Sequence, residues 1–381
     1  DLIAEYSRYV AESLGIPVYT MKGTNMFNLD LPPVREHAEL FGDRLYQIDV
    51  EKKSFVMRYA ACHQQFAIIK DWQISQRHLP FGAFEVADSY RLEQSGELLL
   101  GFRVRRMNMP DLHVFCKDLD EAKEWFTRVH KKIYEEIAAL DGDYVSLYNL
   151  TSKEFFEENK DFFKHLVKLE KKPVLLCFYP PGVNYYWVLN IEYHIIDKMG
   201  RPREIATVQI DVGNAKRFGI KFVDKEGKEN FPVILHTAII GTIERYLYTL
   251  FDLALKMKRP ALPLWLSPTQ VRVIPVSDKF EKDAEKIVEK IEKSDIRVDV
   301  DDRPLTMQKK VREAETEWVN YVVVVGQKEI ESGVLAVRDR RTNEIRQMKL
   351  EELVKEIKQN IANKPFRHLV VPKRLSERPQ F

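Results

Sequence analysis

Three arginines and a carboxylate crowd into one short stretch: Arg91, Glu93, Arg103 and Arg105. Guanidinium groups are planar forks of donors that match phosphate and carboxylate oxygens in pairs. The runs Phe84–Glu93 and Leu98–Met107, joined by the four residues Gln94–Glu97, predict a β-hairpin. Side chains alternate along a strand, so Arg91 and Glu93 share a face, as do Arg103 and Arg105 on the return strand, and two arginines and a carboxylate converge on one sheet face. Such a surface cradles phosphates beside a nucleobase; the same pattern also describes a solvated hairpin laced with surface ion pairs. A second set is Cys62, His113 and His236, residue types that ligate zinc. They are spread over 175 residues without the close ligand pairs that make a zinc motif legible. Spacing alone describes equally well a buried cysteine and two core histidines on strands.

These residues need elements to hold them. The first 260 residues alternate large side chains in long strands (Phe84–Leu92, Leu98–Met107, Tyr185–Ile195, Ala206–Val212, Pro232–Ile239), with a helical stretch at Thr151–Leu169. Long antiparallel strands flanked by helices predict an α+β domain over residues 1–260. Three prolines between Lys258 and Pro268 then end a long apolar helix. Beyond them the pattern changes to strands at Val271–Val276, Ile296–Val300, Tyr321–Val325 and Val334–Arg338. Between and after these lie helices at Asp278–Lys293, Lys309–Ala314 and Leu350–Ile361. That predicts a small α/β domain with a mixed sheet over residues 261–381.

The 381 residues are 45% apolar and 31% charged, with 60 basic and 58 acidic side chains and a formal charge of +2. So even a balance implies no polyanion by itself, although a local basic face still binds one. No run reaches the roughly 18 to 20 apolar residues of a membrane span. Three widely spaced cysteines argue against a disulfide framework and for a reducing cytoplasm. The chain opens inside an amphipathic pattern (Ile3, Tyr6, Val10, Leu14), which implies native sequence upstream of Asp1.

Tyr90-Arg-Leu-Glu93 with its return strand resembles motif 2 of the class II aminoacyl-tRNA synthetases. Gly241-Thr-Ile-Glu-Arg245, after a strand and opening an apolar helix, resembles motif 3. Within that class, Cys62 lies 29 residues before Arg91, His113 lies 22 after it, and His236 lies nine before Arg245. These are the stations at which threonyl-tRNA synthetases hold zinc, and archaeal members are the nearer match. The resemblance implies roles for each residue. Arg91 clamps the ATP α-phosphate and the amino-acid carboxylate. Glu93 meets the adenine side, Arg103 the phosphate chain, and Arg245 the adenine face and γ-phosphate. Cys62, His113 and His236 hold one Zn2+, Mg2+ accompanies ATP, and Asp111 and Gln209 contact threonine. Trp265–Ile274 and Gly326–Arg341 resemble the anticodon-binding domain of the same enzymes, with Glu329 and Arg338 at anticodon positions.

The implied partners are ATP, threonine, tRNA(Thr) and a second copy of the chain. Motif 1, the dimerisation element, departs from the family: Ile16–Thr20 falls where it ends, and Met21 replaces the usual proline. No editing domain is visible, so correction of mischarged serine is expected from a separate protein or from upstream sequence. The other readings are a prolyl- or glycyl-type synthetase, or a synthetase-like RNA-binding protein that has lost catalysis; the presence of both motif arginines weighs against the latter.

Overall fold

A computed structural model describes residues 1–180 and 185–379. The chain divides into two compact units, one of residues Ser7–Leu253 and one of Asp1–Tyr6 with Ala254–Phe381. No helix among the described residues is long and apolar enough to cross a membrane.

The first unit is built on one eight-stranded sheet. In chain order its strands are β1 (Val18–Thr20), β2 (Phe81–Tyr90), β3 (Arg106–Cys116), β4 (Val145–Leu150), β5 (Leu175–Phe178), β6 (Trp187–Ile196), β7 (Pro202–Asp211) and β8 (Val233–Ala238). Their order across the sheet is β1-β2-β3-β8-β7-β6-β4-β5, mostly antiparallel. Four labelled helices accompany it: α1 (Pro32–Glu39), α2 (Cys62–Ile69), α3 (Leu119–Ala138) and α4 (Ile243–Lys256). The α3 helix starts at Asp118, whose carboxylate accepts the Glu121 N–H at 2.8 Å. Its stripe Ala122, Trp125, Phe126, Val129, Ile133 and Ile137 recurs at helical spacing and is buried. Phe66 and Ile69 of α2 join Phe81, Phe115 and Ile234 of the sheet in a separate apolar cluster.

Register decides which side chains meet. Ala83 pairs with His113, His113 with His236, and His236 with Gln209. Because residues two apart share a face, one face of the sheet carries Glu85, Asp111, His113, His236, Gln209 and Asp211 side by side. A one-residue slip in β3 would send Asp111 and His113 to the opposite face.

The structure corrects the hairpin. No strand spans Leu98–Met107: β2 ends at Tyr90, a loop with a 3-10 turn at Ser95–Glu97 follows, and β3 begins at Arg106. Gly101, at φ +72°, takes a left-handed turn, and the only ladder inside the loop is an isolated Leu99–Arg103 bridge. The helical stretch Thr151–Leu169 is two helices, Lys153–Glu158 and Lys160–Glu170. They break at Asn159, whose φ of −114° and ψ of 23° lie off the helical values.

The second unit has a five-stranded sheet of β9 (Val271–Pro275), β10 (Val298–Val300), β11 (Tyr321–Val325), β12 (Leu335–Asp339) and β13 (Ile345–Met348). The order is β10-β9-β11-β12-β13, parallel through the first three strands and antiparallel thereafter. Helices α5 (Glu281–Glu292), α6 (Met307–Thr316), α7 (Gln327–Ser332) and α8 (Leu350–Asn360) complete it. Val271, Val273, Val323 and Val337 from the sheet pack with Val288, Ile291, Leu353 and Ile357 from α5 and α8. Sequence patterning did not reveal β13, where isoleucine and methionine flank two polar residues.

Candidate active site

Cys62 is the first residue of α2, immediately after the N-cap residue Ala61. His113 and His236 come from neighbouring strands, with His113 Nε2 3.1 Å from His236 Nδ1. Their outer nitrogens are already engaged: His113 Nδ1 lies 2.8 Å from Gln65 Oε1, and His236 Nε2 lies 2.7 Å from Asp211 Oδ2. An acceptor on each outer nitrogen draws the ring proton there, which leaves the two inner nitrogens as facing lone pairs. Two lone pairs at that separation are placed to share a cation. Cys62 supplies the third donor, and the ligand atoms of all three residues lie within 4.8 Å of one another.

The electrostatics agree. Burial first, then the Asp111 and Asp211 carboxylates, push the Cys62 thiol well above its ordinary value. A thiol in that setting ionises only alongside a cation. Asp211 is locked by the Gly213 and Asn214 N–H groups at 2.8 and 2.9 Å and by Asn214 Nδ2 at 2.8 Å, so the ring it orients is fixed too. One sulfur, two imidazole nitrogens and acceptors behind both rings fit a three-ligand zinc site with an open position. Cys62 also approaches His37 and His63 to within 4.8 Å. His63, however, is wedged against Phe27, Tyr59 and Phe218 with neither ring nitrogen hydrogen-bonded among the described residues.

Six residues singled out in the sequence line one cavity: Cys62, Arg91, Asp111, Gln209, His236 and Arg245. Arg91 follows β2 directly; its Nε is 3.4 Å from the Tyr59 carbonyl and its guanidinium lies 5.3 Å from the centre of the Phe41 ring. Burial, and then the nearby Arg245, pull Arg91 below the usual guanidinium value, while Glu204 and Glu93 oppose them. Arg245 sits in the first turn of α4. Its Nη1 donates to both the carbonyl and the carboxylate of Glu204 at 3.1 Å, and its guanidinium stacks 4.6 Å from the Phe102 ring centre. Thr242 caps that turn by accepting the Arg245 N–H at 3.2 Å. Gly241 lies at φ +71°, and a Cβ there would stand 1.9 Å from the Ile205 carbonyl oxygen, so only glycine fits. The guanidiniums of Arg91 and Arg245 thus face one cavity, beside the Glu204 carboxylate, and a pair of that kind can bind an anion.

Asp111 is buried, which raises its carboxyl to about 6. Gln209 accepts the Tyr186 hydroxyl at 3.0 Å. Glu93 and Arg103 are not among the lining residues. They pair with each other at 2.8 Å, and Arg105 donates to the Glu93 carbonyl at 3.0 Å. Glu93, Arg103 and Arg105 therefore meet one another in a folded loop rather than on the strand face that the hairpin reading expected.

Several wall residues were missed. His37, Tyr186 and Glu204 line the cavity, and nothing in their local sequence marks them. Asp211 was legible, since it lies two residues from Gln209 and alternation places both on one face. In the second unit, Glu329 accepts the Gly326 N–H at 3.0 Å and so caps α7. Arg338 on β12 lies 3.3 Å from both Glu315 and Asn343. It lines a basic pocket with Lys258, Arg259 and Arg340.

Residues 46–253 match the family model for the tRNA synthetase class II core domain (G, H, P, S and T), and residues 270–360 match the model for an anticodon binding domain. A protein of Thermofilum pendens named threonine–tRNA ligase is 58% identical over 385 residues, covering 100% of this chain and 63% of the relative. One of the same name from Nanoarchaeum equitans is 52% identical, covering 100% of this chain and 60% of its own length. The chain thus spans about three fifths of these relatives. The fold is shared with a structure titled as the RNA binding domain of threonyl-tRNA synthetase from Cryptosporidium parvum. Its TM-score is 0.80 at 23% identity, over 96% of this chain and 90% of that one. A putative threonyl-tRNA synthetase of Aeropyrum pernix has a TM-score of 0.74 at 19% identity, over 96% and 88%.

Proposed function

We propose that this chain, which belongs to the class II tRNA synthetase core family, activates threonine with ATP and charges tRNA(Thr), with residues 1–260 catalytic and 261–381 reading the anticodon. The observation that carries this reading is one cavity lined by Cys62 and His236 together with Arg91 and Arg245. The names and identities of the archaeal relatives support the amino acid assigned.

In the first step an oxygen of the threonine carboxylate bonds to the ATP α-phosphorus, and the bond to pyrophosphate breaks. Arg91 neutralises the attacking carboxylate and the α-phosphate together. Arg245 holds the adenine face and γ-phosphate, Glu93 and Arg103 serve the adenine and phosphate sides, and Mg2+ arriving with ATP would supply further charge neutralisation on the phosphates. No side chain need remove a proton, because positioning and charge stabilisation carry this step. In the second step the terminal ribose hydroxyl of the tRNA attacks the acyl carbon and AMP leaves.

Cys62, His113 and His236 would hold zinc, which when bound supplies open positions for the threonine amine and hydroxyl. Asp111 accepts the hydroxyl's hydrogen bond, and Gln209, oriented by Tyr186, lines the same pocket. A site built around a hydroxyl contact rejects valine by about 10⁴-fold or more, whereas serine lacks only a methyl worth roughly 1 to 3 kcal/mol. Hydrolysis of Ser-tRNA(Thr), by a separate protein acting in trans or by sequence upstream of Asp1, belongs to the proposal, as does a homodimer. Glu329 and Arg338 are assigned to the anticodon bases. ATP–pyrophosphate exchange with each of the twenty amino acids is the test. Exchange with threonine far above the rest is expected; exchange led by proline or glycine, or by none, would overturn the assignment.

A further inference from the structure

A fully buried ion pair lies behind the site. Arg58 and Glu85 are each 1% exposed, and they are joined in a fork: Nη1 to Oε1 at 2.9 Å and Nη2 to Oε2 at 2.6 Å. A buried pair of this kind gains little net stability over two apolar side chains, because desolvation cancels most of the attraction. Its geometry is more informative. Arg58 Nη2 also donates to the Ala61 carbonyl at 2.8 Å, and Ala61 is the residue before Cys62. Glu85 sits on β2, paired across the ladder with Asp111. It also accepts the Gly23 N–H at 2.8 Å. Gly23 cannot carry a side chain, since a Cβ would stand 2.7 Å from the Gln64 side chain and 3.0 Å from Arg58 Nη1. The Arg58 backbone is held as well: its carbonyl accepts the Tyr90 N–H at 2.6 Å and its N–H donates to Asn25 at 2.8 Å.

The N-cap of α2 has no side-chain hydrogen bond of its own. Beside the apolar packing of Phe66 and Ile69 on Phe81, the Arg58 guanidinium is what ties the opening of that helix to β2 by hydrogen bonds, through the Ala61 carbonyl and Glu85. From this juxtaposition we propose that Arg58, braced by Glu85, is a positioning residue that sets Cys62 against the strand residues of the site. It works through the Ala61 carbonyl and touches no substrate. The inference rests on the reading of Cys62 as a metal ligand.

Arg58→Lys keeps a cation beside Glu85 but brings one nitrogen to a place where three oxygens are now served. The variant should fold with a lowered melting temperature, because buried oxygens lose partners, and should bind zinc about tenfold or more weakly, as loss of an orienting contact does. With cobalt in place of zinc, the thiolate-to-cobalt charge-transfer band should weaken. The KM for threonine should rise by a similar factor while the KM for ATP stays within about twofold. The pair Arg58→Met with Glu85→Met removes both charges together, which buried pairs tolerate, and should show the same losses. Wild-type zinc affinity and cobalt spectrum in both folded variants would overturn the proposal. A wild-type protein that takes up neither metal, or a Cys62→Ser variant that binds both normally, would overturn the metal reading beneath it instead.

Discussion

The site turns on which nitrogen of each histidine carries the proton. Asp211 and Gln65, as acceptors, favour the proton on the outer nitrogens of His236 and His113, and Asp211 is the stronger because its charge would also balance an incoming cation. Asp211→Asn keeps the shape but exchanges the acceptor for an amide. Zinc affinity, measured by chelator competition, should fall 10- to 100-fold, and an unchanged affinity would remove Asp211 from the account. Arg91→Ala and Arg245→Ala should each cut pyrophosphate exchange by about 10²-fold or more, on the order of 3 kcal/mol of transition-state stabilisation. Near-normal exchange in either would show that the anion site is misplaced. At this scale the residue types of the site were legible in the sequence, but the contacts that orient them were not. Cys62, His113 and His236 carry their chemistry in their names; Arg58 reads as one basic residue among 60.

Elements decide whether such residues meet. The register of β2, β3, β8 and β7 aligns Glu85, Asp111, His113, His236, Gln209 and Asp211 on one face. Long alternating strands announced that sheet, and Pro232–Ile239 differs from β8 (Val233–Ala238) by one residue at each end. The segment Leu98–Met107 misled because its apolar and basic alternation is that of a strand, while Gly101 at φ +72° turns the backbone out of one. Patterns report side-chain spacing and not the glycine dihedral that breaks the ladder. Gly241 makes the same point with a sharper consequence. Gly241→Ala would face both the left-handed backbone and the Ile205 carbonyl, so a loss of about 1 to 3 kcal/mol is expected in denaturant unfolding. Exchange should drop with it, because α4 starts two residues later with Arg245 in its first turn. An unchanged midpoint would contradict the close approach.

For the molecule as a whole, the α+β and α/β character of the two units followed from the change of pattern after Lys258, whereas function came from motifs whose spacing only a folded sheet explains. On the proposed function the pocket would judge serine by a missing methyl, and packing alone gives that limited leverage. The chain as given is expected to form Ser-tRNA(Thr) when serine is abundant and to leave it intact. Preformed Ser-tRNA(Thr) incubated with the protein should decay at its spontaneous rate, and faster decay would locate an editing activity within these 381 residues. The central claim, that Cys62, His113 and His236 read threonine through a metal, has one direct measurement: threonine-dependent pyrophosphate exchange by protein stripped of metal and then reloaded with one equivalent of zinc. The expected result is loss of exchange on stripping and its return on reloading, whereas full activity in the stripped protein would contradict the account.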